Sequence, residues 1–132
     1  MPRFVNPIMP HISGLLTHQP RVLIVDDVHL NLVLLQVMLE RFDVEVIACS
    51  SAAEALLEAE QGPFALMLLD VRMPVMNGIE LAKRVRLLPY HALTPILFVT
   101  AEATDSEMIV EGYDAGAIDY IIKPINAHIL AS

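Results

Sequence analysis

Three short runs of consecutive apolar residues, RVLIV (21–25), FALMLL (64–69) and PILFV (95–99), constrain this chain more than any other feature. They do not alternate between apolar and polar, as a half-exposed strand does. Strands of that kind are covered on both faces, as in a parallel sheet sandwiched by helices. VEVIAC (44–49) and IDYII (118–122) supply two more strands. Segments of helical period lie between them. In NLVLLQVMLERF (31–42), Leu35, Met38, Leu39 and Phe42 fall at i, i+3, i+4 and i+7, and Leu34 widens the stripe. SAAEALLEAEQG (51–62) opens on Ser51 and Glu54 at capping-box spacing and stops at Gly62 and Pro63. GIELAKRVRLL (78–88) ends at Pro89, and DSEMIVEGYDAG (105–116) ends near Gly116. NAHILAS (126–132) begins a last helix, which is expected to be cut short. Five strands, each followed by a helical segment, predict right-handed crossovers and a three-layer α/β fold. Residues 1–20 carry Pro2, Pro7, Pro10 and Pro20 without a sustained period and read as a leader or linker. Residues 21–132 then form a single domain.

Composition narrows the function classes. The chain has 132 residues, of which 55% are hydrophobic and 18% charged, which excludes general disorder. No stretch reaches the ~18 uninterrupted apolar residues of a membrane span, and no secretory signal is visible at the start. One cysteine, Cys49, cannot form an internal disulfide and fits a reducing, cytoplasmic setting. A net charge of −8 argues against a nucleic-acid partner held through phosphates. The same charge suits an acidic metal site or simply solubility. His91 and His128 have no ligand partners at metal spacing.

Parallel strands place all their C-terminal ends on one edge, where open α/β sheets bind ligands. Here those ends carry Asp26 and Asp27, Asp70, Thr100 and Lys123. Three carboxylates gathered on adjacent strands repel one another, by about 4 kcal/mol for a pair near 4 Å at an effective dielectric of 20. Lys123 offsets one charge. Either a carboxylate stays protonated or a divalent cation fills the deficit. An all-oxygen donor set without His or Cys suits Mg²⁺, or Mn²⁺, over Zn²⁺. A metal, an exposed carboxylate nucleophile, a hydroxyl and an ammonium are the parts of phosphoryl transfer, with Asp70 attacking phosphorus to become an acyl phosphate. Any one of these residues alone reads as a helix cap or turn; four strand ends together do not.

The motifs LIVDD (23–27), LLDVRMPVMNG (68–78), VTA (99–101) and GAIDYIIKP (116–124) make residues 21–131 resemble the receiver domain of two-component response regulators. The resemblance implies a flavodoxin-like, doubly wound five-stranded parallel sheet of order 2-1-3-4-5. It implies that Asp70 is the phosphoacceptor, that Asp27 binds Mg²⁺ directly and Asp26 through water, and that Asp70 and the Arg72 backbone carbonyl complete the protein ligands. Lys123 pairs with the phosphoryl oxygens, Thr100 is the switch hydroxyl, and Tyr120 is the aromatic that turns inward with it. A cis bond before Pro124 is expected, and Arg72 and Glu102 occupy positions that set phosphoryl lifetime. The implied partners are a histidine kinase or phosphotransfer domain, an output domain in a longer parent chain, and a second copy docking through the fourth helix, fifth strand and last helix. No nucleic-acid or membrane partner is implied, and the domain is a phosphoacceptor rather than a conventional enzyme. Two rivals share parts of the pattern. A haloacid-dehalogenase-type phosphatase needs a D-x-D motif after its first strand, whereas Asp26 and Asp27 are adjacent. A pseudo-receiver would keep the fold as an interaction module without phosphorylation.

Overall fold

The structure, a computed structural model, describes residues 19–100, 113–114 and 119–123, with the backbone alone for 119–122. Its elements run β1 (Arg21–Val25), α1 (His29–Leu39), β2 (Glu45–Cys49), α2 (Ala52–Gln61), β3 (Leu66–Asp70), α3 (Gly78–Arg86), β4 (Ile96–Thr100) and β5 (Asp119–Ile122). The strands form one sheet of order β2-β1-β3-β4-β5, parallel throughout. The expected order is therefore the observed one. Of the helix expected over 105–116, only Tyr113 and Asp114 lie among the described residues, and both are helical. Residues 1–18 and the last helix fall outside them.

Both faces of the sheet are covered, which explains the unbroken apolar runs. Leu23 and Val25 of β1 pack with α2 and α3 in a core that includes Met67, Leu69 and Phe98. Val22 and Ile24, pointing the opposite way, pack with Leu32, Leu35, Met38 and Leu39 of α1. Successive strand residues thus enter different cores, and neither kind can be polar. Fully burying one such side chain is worth about 1.5–3 kcal/mol.

Two boundaries differ from the sequence expectation. α1 starts two residues earlier and ends at Leu39, so Phe42 is not on its buried face but half exposed. Leu32 takes that place, one turn before Leu35. β3 begins at Leu66 rather than residue 64 and includes Asp70. Phe64 is freed to pack beneath the Arg21 guanidinium, which lies 4.4 Å from the ring centroid. α2 begins as expected: Ser51 Oγ accepts from the Glu54 amide at 3.2 Å. The Glu54 carboxylate takes the Ser50 hydroxyl at 2.6 Å instead of closing the box on Ser51. α3 is capped by Asn77, whose Oδ1 accepts from Glu80 N at 2.8 Å. Lys83, Arg84 and Arg86 sit in its last turn, where the helix dipole favours cations. No helix among the described residues is long and apolar enough to cross a membrane.

At the N-terminal end of the strands His91 is fully buried. Its Nδ1 lies 3.0 Å from Thr94 Oγ1 and its Nε2 2.9 Å from the Ala59 carbonyl. Arg86 donates to the His91 carbonyl at 3.0 Å and to the Thr94 carbonyl, bracing the turn into β4.

Candidate functional site

The opposite rim holds the acids. Parallel pairing sets Val25 beside Leu69 and Asp70 beside Val99, so β1, β3 and β4 end level with one another. Asp26 follows β1 directly. Its backbone N–H donates to the Cys49 carbonyl at 3.2 Å, extending the ladder one residue, and its Oδ1 accepts from Val28 N at 2.9 Å. That second bond turns the chain into α1 without a side-chain cap from Val28. Asp26 is fully buried, Asp70 nearly so, and Asp27 is exposed. One oxygen from each of the three lies within 4.8 Å of the others.

Lys123 reaches them from the end of β5. The Lys123 N–H donates to the Thr100 carbonyl at 2.7 Å, fixing where β5 delivers its last side chain. Its Nζ donates to Asp70 Oδ1 at 3.1 Å and lies 3.2 Å from Asp26 Oδ2. Thr100 ends β4 and is buried. All five strand-end residues thus meet on one rim. Of the remaining sequence candidates, the Arg72 side chain is exposed, and its backbone N–H lies 3.4 Å from Asp70 Oδ1. Glu102, Pro124 and the Tyr120 side chain lie outside the described residues.

Three ionised carboxylates and one ammonium leave an excess of two negative charges, and burial makes that excess costly. Burial pushes the Asp70 carboxyl from 3.8 up to about 7, the charge on Asp26 pushes the same way, and the Lys123 bond opposes both. For Lys123, burial pulls the ammonium down, but its hydrogen bond to Asp70 and the charges of Asp70 and Asp26 outweigh it and hold it above its ordinary value. Asp26 Oδ2 is buried without a hydrogen bond among the described residues, since the Lys123 ammonium faces it as an ion pair outside hydrogen-bond geometry. A buried, unsatisfied carboxylate oxygen in an all-oxygen cluster fits a hard divalent cation. Cys49, by contrast, is no part of this chemistry. Burial, then Glu54 and Glu58, push its thiol up to about 11, so it stays protonated.

One residue has a larger role than its place in the loop motif suggested. A Cβ on Gly78 would stand 2.1 Å from the Asp70 carbonyl oxygen and 2.8 Å from its carbon. Only glycine lets α3 start against the strand end that carries Asp70, and the Gly78 N–H closes the loop on the Val71 carbonyl at 2.9 Å. The Asn-Gly pair just before a helical period is the visible signal.

The sequence model of the response regulator receiver domain matches residues 22–132. The transcriptional regulatory protein SrrA of Staphylococcus aureus is 39% identical over 105 residues, which are 80% of this chain and 42% of that protein. The chain therefore spans about two fifths of the length of the curated relatives it matches. Among solved structures, the chemotaxis protein CheY4 of Vibrio cholerae superposes with a TM-score of 0.80 at 34% identity, covering 86% of this chain and 93% of that one. The receiver domain of a sensor histidine kinase of Pseudomonas aeruginosa superposes at 0.76 with 26% identity, covering 86% and 92%; its structure has a magnesium ion coordinated in the active-site cleft.

Proposed function

This chain belongs to the response regulator receiver family, and from that premise we propose that Asp70 is its phosphoacceptor, served by Asp26, Asp27, Thr100 and Lys123. The role of the family is phosphoacceptor signalling in two-component pathways. The observation that carries the assignment to residues is the Lys123 ammonium held 3.1 Å from Asp70 and 3.2 Å from Asp26 beside a third carboxylate.

An Asp70 carboxylate oxygen attacks the donor phosphorus in line. The new O–P bond forms as the bond from phosphorus to the leaving group breaks, and its electron pair departs with that group. For a phosphohistidine donor the leaving group is the imidazole nitrogen. Lys123 stays protonated because two carboxylates hold its proton, and it transfers its Asp70 bond to a phosphoryl oxygen. Thr100, on the neighbouring strand end, offers a hydroxyl to another. Asp26, Asp27, Asp70 and the Arg72 carbonyl would hold Mg²⁺, with Mn²⁺ a substitute. That ion supplies the positive charge which the carboxylates and the phosphoryl group together lack. The Asp70 side chain goes from one negative charge to about two. Thr100 and Tyr120 would carry the change to the face formed by the fourth helix, β5 and the last helix, which would dock an output domain or a second copy. The donor would be a histidine kinase or a phosphotransfer domain, in the cytoplasm. The domain promotes its own loading and the hydrolysis of its own acyl phosphate, with Arg72 and Glu102 setting the lifetime.

The deciding experiment is incubation of the chain with acetyl phosphate and Mg²⁺, followed by intact-mass spectrometry. One phosphoryl adduct is expected, absent without Mg²⁺ and absent from Asp70→Asn. An adduct that persists in that variant would move the acceptor to another residue.

A further inference from the structure

α2 and α3 turn charged side chains to solvent, among them Glu54, Glu60, Glu80, Lys83 and Arg84. α1 does not. Its sequence, HLNLVLLQVML, holds no Asp, Glu, Lys or Arg, and its only polar residues are His29, Asn31 and Gln36. A helix that is apolar all round is normally covered all round. One side of α1 meets the sheet through Leu32, Leu35, Met38 and Leu39. Leu30, Val33 and Val37, at i, i+3 and i+7, lie on the other side and are 62%, 37% and 50% exposed. Beside Val37 a shallow cleft opens, lined by Val37, Met38, Glu40 and Arg41. The C-terminal half of this helix, remote from the acid rim, thus offers an apolar strip and a cleft to a partner.

The chain itself arrives at that half. Gln19 Nε2 donates to Asp43 Oδ1, in the turn that follows α1, and the Pro20 carbonyl accepts from Glu45 N at 2.9 Å. The segment upstream of Gln19 therefore joins the domain beside the C-terminal end of α1. That segment includes Ile12, Leu15 and Leu16 and contains no acid. An extended chain spans at most ~3.3–3.6 Å per residue, so Leu16 reaches about 10 Å from Gln19 and Ile12 about 24 Å. At 1.5 Å of rise per residue, Val37 and Val33 stand only about 3 and 9 Å along the axis from the helix end at Leu39. Reach and chemistry agree. A second copy of the chain would instead bring a net charge of −8 against −8, and has no tether.

We propose that residues 12–16 fold back over the outer side of α1 as an intramolecular cover, with Ile12, Leu15 and Leu16 seated against Val33 and Val37. A short tether holds such a segment at an effective concentration on the order of millimolar, so a few apolar side chains suffice to keep it docked. Burial of the strip supplies the driving force. The cover is independent of which residue accepts phosphate.

A thermodynamic cycle on the full chain tests it. Leu15→Ser combined with Leu16→Ser is expected to lower Tm by about 3–6 °C, and Val37→Ser to lower it similarly. All three changes together should lower it no further than the larger of those two effects, since both remove one contact. Leu57→Ser, on the exposed side of α2, should add its own effect in full. In the wild-type chain, methyl NOEs should join Leu15 or Leu16 to Val33 or Val37, and should vanish between labelled and unlabelled chains in a mixed sample. Full additivity of the leader and Val37 effects overturns the cover, as does an unchanged Tm in the leader variant. Absence of the NOEs overturns it too. NOEs between labelled and unlabelled chains would assign the strip to a second copy and overturn it equally.

Discussion

At the N-terminal end of the sheet, His91 is fully buried with both ring nitrogens within 3.0 Å of a partner. At the C-terminal end, Asp26 is as deeply buried, yet among the described residues one of its oxygens has only an ion-pair neighbour. Around His91 the neighbouring cation is spent on backbone carbonyls, since Arg86 bonds those of His91 and Thr94. Around Asp26 the cation is shared: Lys123 serves Asp26 and Asp70 at once, and one Asp27 oxygen lies within 4.8 Å of an oxygen of each. One rim is electrostatically complete and ties α2 to the turn before β4. The other is, among the described residues, short of positive charge, which is the condition for taking up a cation. The same sheet, with the same burial, carries a clasp at one end and a receptor at the other.

The comparison breaks first at Asp70. Asp70→Asn should abolish phosphoryl loading while raising the stability of the metal-free protein, because it removes one of three mutually repelling carboxylates; loading assays and urea unfolding check the two halves. Retained loading would mean the rim does not work through this acid.

A pH titration tests the charge deficit directly. The native Asp70 carboxyl holds its proton to about 7, against 3.8 for an ordinary one, so between those values the folded state binds more protons than the unfolded. Stability of the metal-free protein should therefore fall as pH rises through that window. Saturating Mg²⁺ should flatten the slope. Equilibrium unfolding at several pH values, with chelator and with Mg²⁺, measures both. A metal-free stability that rises over the same range would contradict the deficit.

His91→Ala sharpens the contrast from the other side. Removing a buried ring and stranding Thr94 and the Ala59 carbonyl should cost about 3 kcal/mol. The Mg²⁺-induced stabilisation, scored by thermal shift, should be unchanged. Arg86→Met should cost less, about 2 kcal/mol, through the two carbonyls it leaves. It too should leave Asp70 loading intact. Loss of loading in either variant with the fold preserved would couple the two rims.

Much of this was legible in the sequence. The unbroken runs RVLIV and PILFV announced strands covered on both faces, and β1 and β4 have separate cores on either side. The acids, Thr100 and Lys123 stood at strand ends in the chain and do so in space. Capping by Ser51 and the stop at Gly62 followed from residue type and spacing. Phe42 misled because a stripe of helical period does not say where the helix stops; α1 ends at Leu39 with nothing in the local pattern to mark it. Val75, at φ 71° in the loop between β3 and α3, gave no warning, since valine is the wrong residue for positive φ and only the closure of the loop imposes it.

By itself, then, the sequence determined which segments are strands, that they are parallel and sandwiched, and which polar residues end them. Those properties depend on side chains a few positions apart, and burial and hydrogen bonding act on them locally. Only the tertiary structure decided that Lys123 reaches across 53 positions to bond Asp70, that Asp26 keeps an oxygen without a hydrogen bond among the described residues, that Gly78 is pressed on the Asp70 carbonyl, and that His91 locks onto Ala59. Each depends on strand order and register. A shift of one residue there would carry a side chain to the opposite face and dissolve the contact.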